Sequence, residues 1–291
     1  MLMRPVTLCL AVGLLCLLAA PAISQNELTP TAQAHARGVE LLAAGDLEAA
    51  LESFGAAARA PDAAEESKQQ YMLVRRIMRT RAALAREEDP AKWWKTAISL
   101  RNYYHSLRLY DDLLVLSTEM NRRKGTPGSA MLEADALLLL GRSAEAEKIL
   151  GAVERASLSA QGQLLFGLAL GRQKKIEAAR EVLAGLEIPE DPRPRLLCDV
   201  ARLKVLCGDV PGGMGTLALA LEKTSPKGID GFRDFIRKAP EFRDLPEDAG
   251  FAAVVMTESK VHESSCSSGS SCGTCPKSGS CPSSGEHEKK Q

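Results

Sequence analysis

A repeat of about 34 residues constrains the fold of this chain more than any other feature of its sequence. Counted from a start residue, small or apolar side chains recur largely at offsets of 3, 7, 12, 16 and 19, and four stretches follow this pattern. The last three stretches begin at positions 134, 167 and 201, at a nearly constant interval, so these units are in direct tandem. Repetition at this period is typical of a helical solenoid, in which each unit is one supersecondary element. The four start residues are Gly38, Ala134, Gly167 and Ala201.

The residue types at these offsets fit two short helices that cross closely. A small residue at the start position lets the helix axes approach, because a larger side chain would force them apart. Glycine at offset 7, as in Gly45, Gly141 and Gly208, ends the first helix, since glycine adopts a positive φ at little cost. Alanine and leucine dominate the composition, and aromatic residues make up only 4% of the chain. This composition favours helix over sheet, so we predict an all-α protein.

The pattern resembles the tetratricopeptide repeat family. GVELLAAGDLEAALESFGAAARAPD, residues 38–62, matches best, and ALLLLGRSAEAEKILGAV and GLALGRQKKIEAAREVLAGL follow it well. The resemblance implies an α-solenoid of antiparallel helix pairs, with a first unit at 25–62 and three tandem units at 127–225. The fourth unit departs from the family, because it has Gly213 where alanine is usual and Lys204 where an apolar residue is usual. We therefore expect its helices to pack more loosely.

The segment 63–126, between the first unit and the tandem units, is interpreted as a degenerate repeat. Its periodicity predicts one long charged helix over Glu65–Glu88, which Pro90 breaks. A further helix pair is predicted over Ala91–Ser106 and Leu109–Asn121, without the glycine of the pattern.

The segment 226–258 follows the last unit and is predicted to be a C-terminal helical cap. GFRDFIRKAPEFRDLPEDAGFAAVV within it resembles the short helical element that often closes bacterial tetratricopeptide proteins. We expect four phenylalanines to cover the last exposed helix face, because a solenoid must be capped to stay soluble. These are Phe232, Phe235, Phe242 and Phe251.

Residues 1–24 are expected to be a signal peptide rather than part of the fold. Arg4 supplies a short positive region, residues 6–20 are apolar, and small residues precede a cleavage site expected after Ser24. The alternative is an uncleaved membrane anchor, which is disfavoured because the apolar stretch is shorter than the roughly 20 residues that span a bilayer. We therefore expect an exported protein, periplasmic or extracellular, with no integral membrane segment after cleavage.

The tail, residues 259–291, is predicted to be disordered. Residues 264–285 contain no aliphatic or aromatic side chain, so they cannot bury enough surface to offset the entropy of ordering. The tail cysteines leave alternatives open: ligands of zinc or of an iron–sulfur cluster, disulfides in an oxidising compartment, or a linker without a role. CGTCPKSGSC resembles the cysteine cluster of iron–sulfur assembly scaffold ATPases, although no nucleotide-binding motif accompanies it. The four residues are Cys266, Cys272, Cys275 and Cys281.

Charge and motif content argue against several function classes. Lys plus Arg and Asp plus Glu number 37 each, so no basic footprint predicts nucleic-acid binding. The sequence has no His-Glu-x-x-His pair and no Gly-x-Ser-x-Gly elbow. Cys198 and Cys207 are predicted to face opposite sides of one helix, as buried apolar residues rather than a disulfide. We predict a protein without catalysis and without a required cofactor; an enzyme with a site built from scattered residues is the weakest alternative.

Two sets of residues are candidates for binding a partner. In tetratricopeptide proteins the first helices of successive units line a concave groove, where polar groups suit an extended peptide. Carried over by position, the groove residues are His35, Asp135, Gln161, Arg172, Arg195 and Arg202. The second set consists of large rings, which either anchor an interface or fill an irregular core. These aromatic residues are Trp93, Trp94, Tyr103, Tyr104 and Tyr110.

Together these patterns favour an exported solenoid that binds a peptide or protein partner in its groove and acts as a scaffold or assembly module. The alternative is a metal- or thiol-handling protein that uses the tail cysteines, with the solenoid as a docking module. The step from solenoid to binding rests on fold analogy. The sequence identifies neither the partner nor the oligomeric state.

Overall fold

The computed structural model of the protein describes residues 29–243, 245 and 250–261. The regular structure of these residues is entirely helical, and the helices pack against their neighbours along the chain, so the all-α prediction is confirmed. None of the described helices is both long and apolar enough to cross a lipid bilayer. The predicted signal peptide and the tail beyond Val261 lie outside the described residues.

The chain divides into two compact units, residues 1–88 and 89–291. The described part of the first unit contains α1 (Pro30–Ala43), α2 (Leu47–Arg59) and α3 (Glu65–Arg86). The described part of the second unit contains α4 (Pro90–Ser106), α5 (Tyr110–Lys124), α6 (Pro127–Leu139), α7 (Ser143–Gly151), α8 (Ala160–Arg172), α9 (Ile176–Ala184), α10 (Pro194–Leu206), α11 (Val210–Glu222), α12 (Ile229–Arg237), α13 (Pro240–Arg243) and α14 (Phe251–Val255).

Helices α1 and α2 form a helix pair as the repeat pattern predicts. Thr29 caps α1 by accepting a hydrogen bond from the Ala32 amide at 3.2 Å, and Pro30 is the first helical residue. Gly38 lies against Phe54, and a Cβ added to Gly38 would be only 2.7 Å from the phenylalanine ring. The missing side chain at the start position is therefore what lets α1 and α2 cross closely.

The helices predicted for the degenerate segment are present. The predicted long helix corresponds to α3, which buries Val74 and Ile77. Pro90 separates α3 from α4 and is itself the first residue of α4, a position where its missing amide hydrogen costs nothing. The predicted helix pair corresponds to α4 and α5.

One turn geometry recurs after α1, α4, α6, α8 and α10. In each turn a residue with positive φ follows the helix, and the next amide donates to the carbonyl five residues back, as in a Schellman cap. Three of these residues are the predicted glycines Gly45, Gly141 and Gly208. The other two are Arg108 (φ 60°) and Lys174 (φ 63°).

Arg108 shows that the pair α4–α5, which was interpreted as part of a degenerate repeat, keeps the turn geometry of the other repeats. Because the turn residue stands at offset 7, the start of this repeat is Arg101, one repeat length before Ala134. Leu113 and Met120, at offsets 12 and 19, are fully buried. The pair α4–α5 is thus a complete repeat in tandem with the next three. Its sequence looked degenerate because arginine occupies both its start and its turn position.

The expectation of looser helices in the fourth repeat is wrong. A Cβ added to Gly213 would lie 2.7 Å from Val205 Cγ2 and 3.1 Å from the Ala201 carbonyl oxygen. Glycine therefore allows α11 to approach α10 more closely than alanine would. Lys204 is accommodated because its Nζ reaches Thr216 Oγ1 on α11 at 3.0 Å while its stem stays half-buried.

Two apolar clusters form the core around helices α6 to α14 of the second unit. One is built from α6 to α10 and includes Leu164 and Leu203; the other is built from α10 to α14 and includes Leu217. Cys207 belongs to the first cluster and Cys198 to the second. The prediction that these cysteines are buried on opposite sides of one helix is confirmed.

The C-terminal helices cover the last repeat and also reach beyond it. Phe242 is buried, and its ring stacks on Phe251 at a centroid distance of 5.3 Å. Phe232 and Phe235 are partly buried against the same cluster. As predicted, α12 and α14 pack against α11, but α13 packs against α10. The segment is therefore more than a cap on the final helix.

Candidate functional site

The first helices of the four tandem repeats are neighbours. Helix α8 packs against both α6 and α10, and the Arg101 guanidinium on α4 donates to the Asp135 carboxylate on α6 at 2.5 Å. We name the surface formed by α4, α6, α8 and α10 the first-helix face. It carries five of the six predicted groove residues: Asp135, Gln161, Arg172, Arg195 and Arg202.

A cleft of about 530 Å³ opens on the first-helix face, and residues from all four helices line it. Its apolar lining comes from Met131, Leu132, Leu165 and Leu196. Its polar lining is rich in arginine and includes three of the predicted groove residues. The polar residues are Arg101, Asn102, His105, Asp135, Gln161, Arg193 and Arg195.

A continuous network of ion pairs runs along this face. Asp135 pairs with Arg101 at 2.5 Å and with Arg195 at 3.8 Å. Asp199 pairs with Arg195 at 3.3 Å and with Arg202 at 2.5 Å. Asp199 is fully buried and also accepts a hydrogen bond from the Gln161 amide at 2.8 Å. The acids of α6 and α10 thus connect the arginines of successive helices.

Glu241 on α13 extends this network from the C-terminal side. Its carboxylate accepts from Arg172 Nε at 2.7 Å and from Arg202 Nε at 2.9 Å, and its side chain is 1% exposed. Arg172 also donates to the Leu138 carbonyl at 2.5 Å. Guanidinium groups from two successive first helices therefore hold one carboxylate of a short segment.

We name residues 229–243, which comprise α12 and α13, the C-terminal segment. Besides Glu241, this segment has two further contacts with the first-helix side of the repeats. Asp234 pairs with Arg108, in the turn after α4, at 2.6 Å. The Arg195 guanidinium lies 4.0 Å from the centroid of the Phe235 ring. Arg195 therefore borders both the cleft and the C-terminal segment.

The predicted groove is thus divided into two parts. Arg172 and Arg202 are bound to the C-terminal segment, and Arg202 is 6% exposed rather than displayed to solvent as expected. Asp135, Gln161 and Arg195 line the open cleft. The structure brings these five residues together in one network, but only three of them line the cleft.

The environment perturbs several pKa values along the network. Burial raises the pKa of Glu241, but the Arg202 and Arg172 guanidinium groups outweigh it and hold the pKa at about 2. Burial of Asp199 is likewise outweighed by Arg195 and Arg202, so the pKa of its carboxyl lies below the ordinary value. In the cleft, burial lowers the pKa of His105, which is therefore neutral at physiological pH.

His35, the sixth predicted groove residue, lies in the first unit in a local contact. Its Nδ1 is 2.9 Å from the hydroxyl of Ser67, which is buried, and its ring meets the Phe54 ring edge-on at a centroid distance of 5.5 Å. These contacts connect α1 with α2 and α3. Packing within the unit accounts for this histidine.

Two of the five residues of the predicted aromatic set fill the core. Trp93 and Tyr104 are 4% and 3% exposed. Cations from the end of α5 lie against both tryptophans: Arg123 is 4.0 Å from the Trp93 ring, and Lys124 is 4.2 Å from the Trp94 ring. Of the two alternatives for this set, core filling accounts for Trp93 and Tyr104. The remaining residues, Trp94, Tyr103 and Tyr110, are half-buried.

The cysteines predicted to bind a metal or form disulfides, Cys266, Cys272, Cys275 and Cys281, lie outside the described residues. Within the described part of the chain, no group of three or more His, Cys, Asp or Glu residues is arranged to hold a metal ion. Burial raises the pKa of the Cys198 thiol to about 12 and also raises that of Cys207. Neither of these thiols is a nucleophilic thiolate at neutral pH.

Sequence reasoning missed three residues of the network: Arg101, Asp199 and Glu241. Arg101 occupies a repeat start position, and testing the offsets one repeat length upstream of Ala134 would have found it. A buried acid on a helix, such as Asp199, has no signature in a single sequence. Glu241 was overlooked because its segment was expected to cover only the last helix.

No protein-family model matches the chain, and no curated protein is significantly similar to it. The resemblance to tetratricopeptide repeats therefore rests on the residues and their spacing.

Proposed function

We propose that the protein is an exported α-solenoid of antiparallel, tetratricopeptide-like helix pairs that binds an extended segment of a protein partner on its first-helix face. In this proposal it acts as a scaffold or assembly module and has no reaction of its own. The cleft is the part of the face that receives the partner.

The observation that carries the proposal is that the first-helix face already holds a polypeptide. The C-terminal segment is bound there by Glu241, which bridges two arginines, and by Phe235, which lies under a third. Acidic and aromatic side chains of a peptide thus find partners on this face. The neighbouring cleft offers the same types of partner without an occupant from the described chain.

The size and lining of the cleft support peptide binding over catalysis. Its volume of about 530 Å³ falls within the roughly 300–1,000 Å³ of small-ligand sites, which is room for a few side chains. Its one lining carboxylate, Asp135, is already paired with Arg101, and its lining residues include no serine, threonine or cysteine. A nucleophile with an adjacent free base, which acyl-transfer chemistry requires, is missing from this lining.

Site-specific photo-crosslinking tests the proposal. A photoreactive phenylalanine analogue is introduced at Asn102, which is exposed and lines the cleft. The matched control has the same analogue at Val115, which is 72% exposed on α5 and does not line the cleft. The labelled mature chains are illuminated in a cell-envelope extract of the source organism, and adducts are sequenced by mass spectrometry.

We expect adducts to defined segments of one or a few proteins from the Asn102 variant and not from the Val115 variant. Adducts of equal yield and identity at both positions, or none at Asn102, would contradict the proposal.

A further inference from the structure

The ion-pair network on the first-helix face contains four arginines but only three carboxylates. Each of its acids is shared between two arginines, and each inner arginine is shared between two acids. The network therefore alternates in sign and begins and ends with a cation. Its members, in order, are Arg172, Glu241, Arg202, Asp199, Arg195, Asp135 and Arg101.

The excess positive charge lies at the cleft. At the other end Arg172 shares Glu241 at 2.7 Å and also donates to a carbonyl. At the cleft end Arg195 has only the two longest contacts of the network, 3.3 and 3.8 Å. The Arg101 side chain is nine-tenths buried, and its Nε is a buried donor without an acceptor among the described residues. Exposed Arg193 adds another positive charge to the same cleft.

Glu241 shows what such a pair of arginines binds. Its carboxylate is held by guanidinium groups from two successive first helices, and the next side chain, Phe242, is buried in the adjoining apolar cluster. The cleft offers the same two kinds of group, although its arginines, Arg101 on α4 and Arg195 on α10, are not on successive first helices and also share Asp135. Its apolar lining includes Met131 and Leu165.

We infer that the cleft binds an aspartate or glutamate side chain of an extended peptide, with an apolar side chain next to it. The inference rests on the proposed function and specifies the ligand's chemistry. The ligand carboxylate supplies the missing acid of the network, and charge-assisted bonds from the arginines hold it. The apolar neighbour covers Met131 and Leu165. Because His105 is neutral, the arginines alone provide the positive charge of the cleft.

A peptide selection tests this inference on the full mature chain. Random heptapeptides, displayed without a free carboxyl terminus, are selected for binding to the wild-type protein. We expect the recovered sequences to share an acidic residue beside an apolar one. The strongest binder is then synthesised with acetylated and amidated ends and a fluorescent label, and its Kd is measured by anisotropy.

Replacing the acidic residue of this peptide by its amide should weaken binding roughly tenfold or more. Raising the salt concentration should also weaken it, since exposed charges are screened. Arg195→Gln should lose most of the affinity. Arg193→Gln, at an exposed position that leaves the packing unchanged, should weaken binding severalfold. Arg142→Gln, an exposed arginine outside the cleft, is the control and should bind as the wild type does.

Recovery of cleft-binding peptides without an acidic residue would overturn the inference and leave the proposed function standing. Complete displacement of the labelled peptide by inorganic phosphate, at a phosphate charge concentration equal to that of the peptide, would overturn it too, because the cleft would then be a site for small anions. Recovery of no peptide would count against both.

Discussion

Replacing Glu241 by glutamine tests the network at a buried carboxylate that two arginines share. Glutamine keeps the size of the side chain but removes the charge that Arg172 and Arg202 share. The pKa of Glu241 is about 2, compared with 4.5 for an unperturbed glutamate, and each unit corresponds to about 1.4 kcal/mol. The ionised carboxylate therefore stabilises the folded state by roughly 3 kcal/mol at neutral pH, which agrees with the cost of breaking other buried ion pairs.

The pH dependence of this loss distinguishes charge from packing. Because the pKa is depressed on folding, the stabilisation is complete above about pH 4.5 and disappears as the pH falls towards 2. The difference in unfolding free energy between wild type and Glu241→Gln should shrink from roughly 3 kcal/mol at pH 7 to about half of that near pH 3. Glutamine mimics the protonated acid, so the two proteins converge.

Urea denaturation followed by tryptophan fluorescence is a suitable assay, because both tryptophans of the chain, Trp93 and Trp94, belong to the second unit. The control is Glu145→Gln, which removes the partner of an exposed arginine, Arg142, and should change the free energy of unfolding little, because solvent screens this pair. A loss for Glu241→Gln that is the same at every pH, or no larger than that of the control, would show that the charge of Glu241 does not stabilise the fold.

Three further predictions concern the turn, the helix crossing and the charge of the face. Lys174→Gly should raise the unfolding free energy by up to about 1 kcal/mol, because glycine adopts the positive φ of this position without strain. Lys175→Gly should lower the unfolding free energy, because φ is ordinary at this position and the substitution removes the ion pair with Glu147 on α7. Gly213→Ala should destabilise by about 1–3 kcal/mol, since its Cβ would overlap Val205 and the backbone, whereas Gly215→Ala, in open space on the same helix, should stabilise slightly. Urea titration checks both pairs. If the cleft binds acidic peptides, Glu241→Gln should bind them a few-fold more tightly by anisotropy, because the network loses a negative charge.

The fold could be predicted where the repeat places small residues and glycines at fixed offsets. Gly38, Gly141 and Gly208 mark their units because close packing against Phe54 restricts the first position, and a positive φ restricts the other two, to few residue types. The repeat that starts at Arg101 was interpreted only as degenerate because it has two exceptions to the pattern, each with a tertiary partner: Asp135 pairs with Arg101 itself, and Asp234 pairs with Arg108 at positive φ. Both partners are distant in sequence, so a local pattern cannot detect these pairs.

The candidate site was predicted only in part, for a related reason. Five of the six residues that were chosen by position within the repeat lie on the first-helix face, and Asp135, Gln161 and Arg195 line one cleft, whereas His35 lies in the other unit. Position within the repeat did not indicate that Arg172 and Arg202 are occupied, because that depends on where Glu241 folds back. A single carboxylate in a short terminal helix carries no periodic signal.

Stability alone is a poor explanation for the buried network. Exchanging a buried ion pair for well-packed apolar residues is often neutral or stabilising by about 1–4 kcal/mol, so a chain selected only for stability would not need Asp199 at full burial between Arg195 and Arg202. What apolar residues could not supply is a fixed row of guanidinium groups that remains charged next to open space. The acids orient the arginines and offset most of their charge, and the uncompensated remainder lies in the cleft. We therefore interpret the buried pairs around Asp199 and Glu241 as the part of the network that positions the arginines beside the cleft. Recognition of an acidic partner is the property that would require both the buried pairs and these arginines.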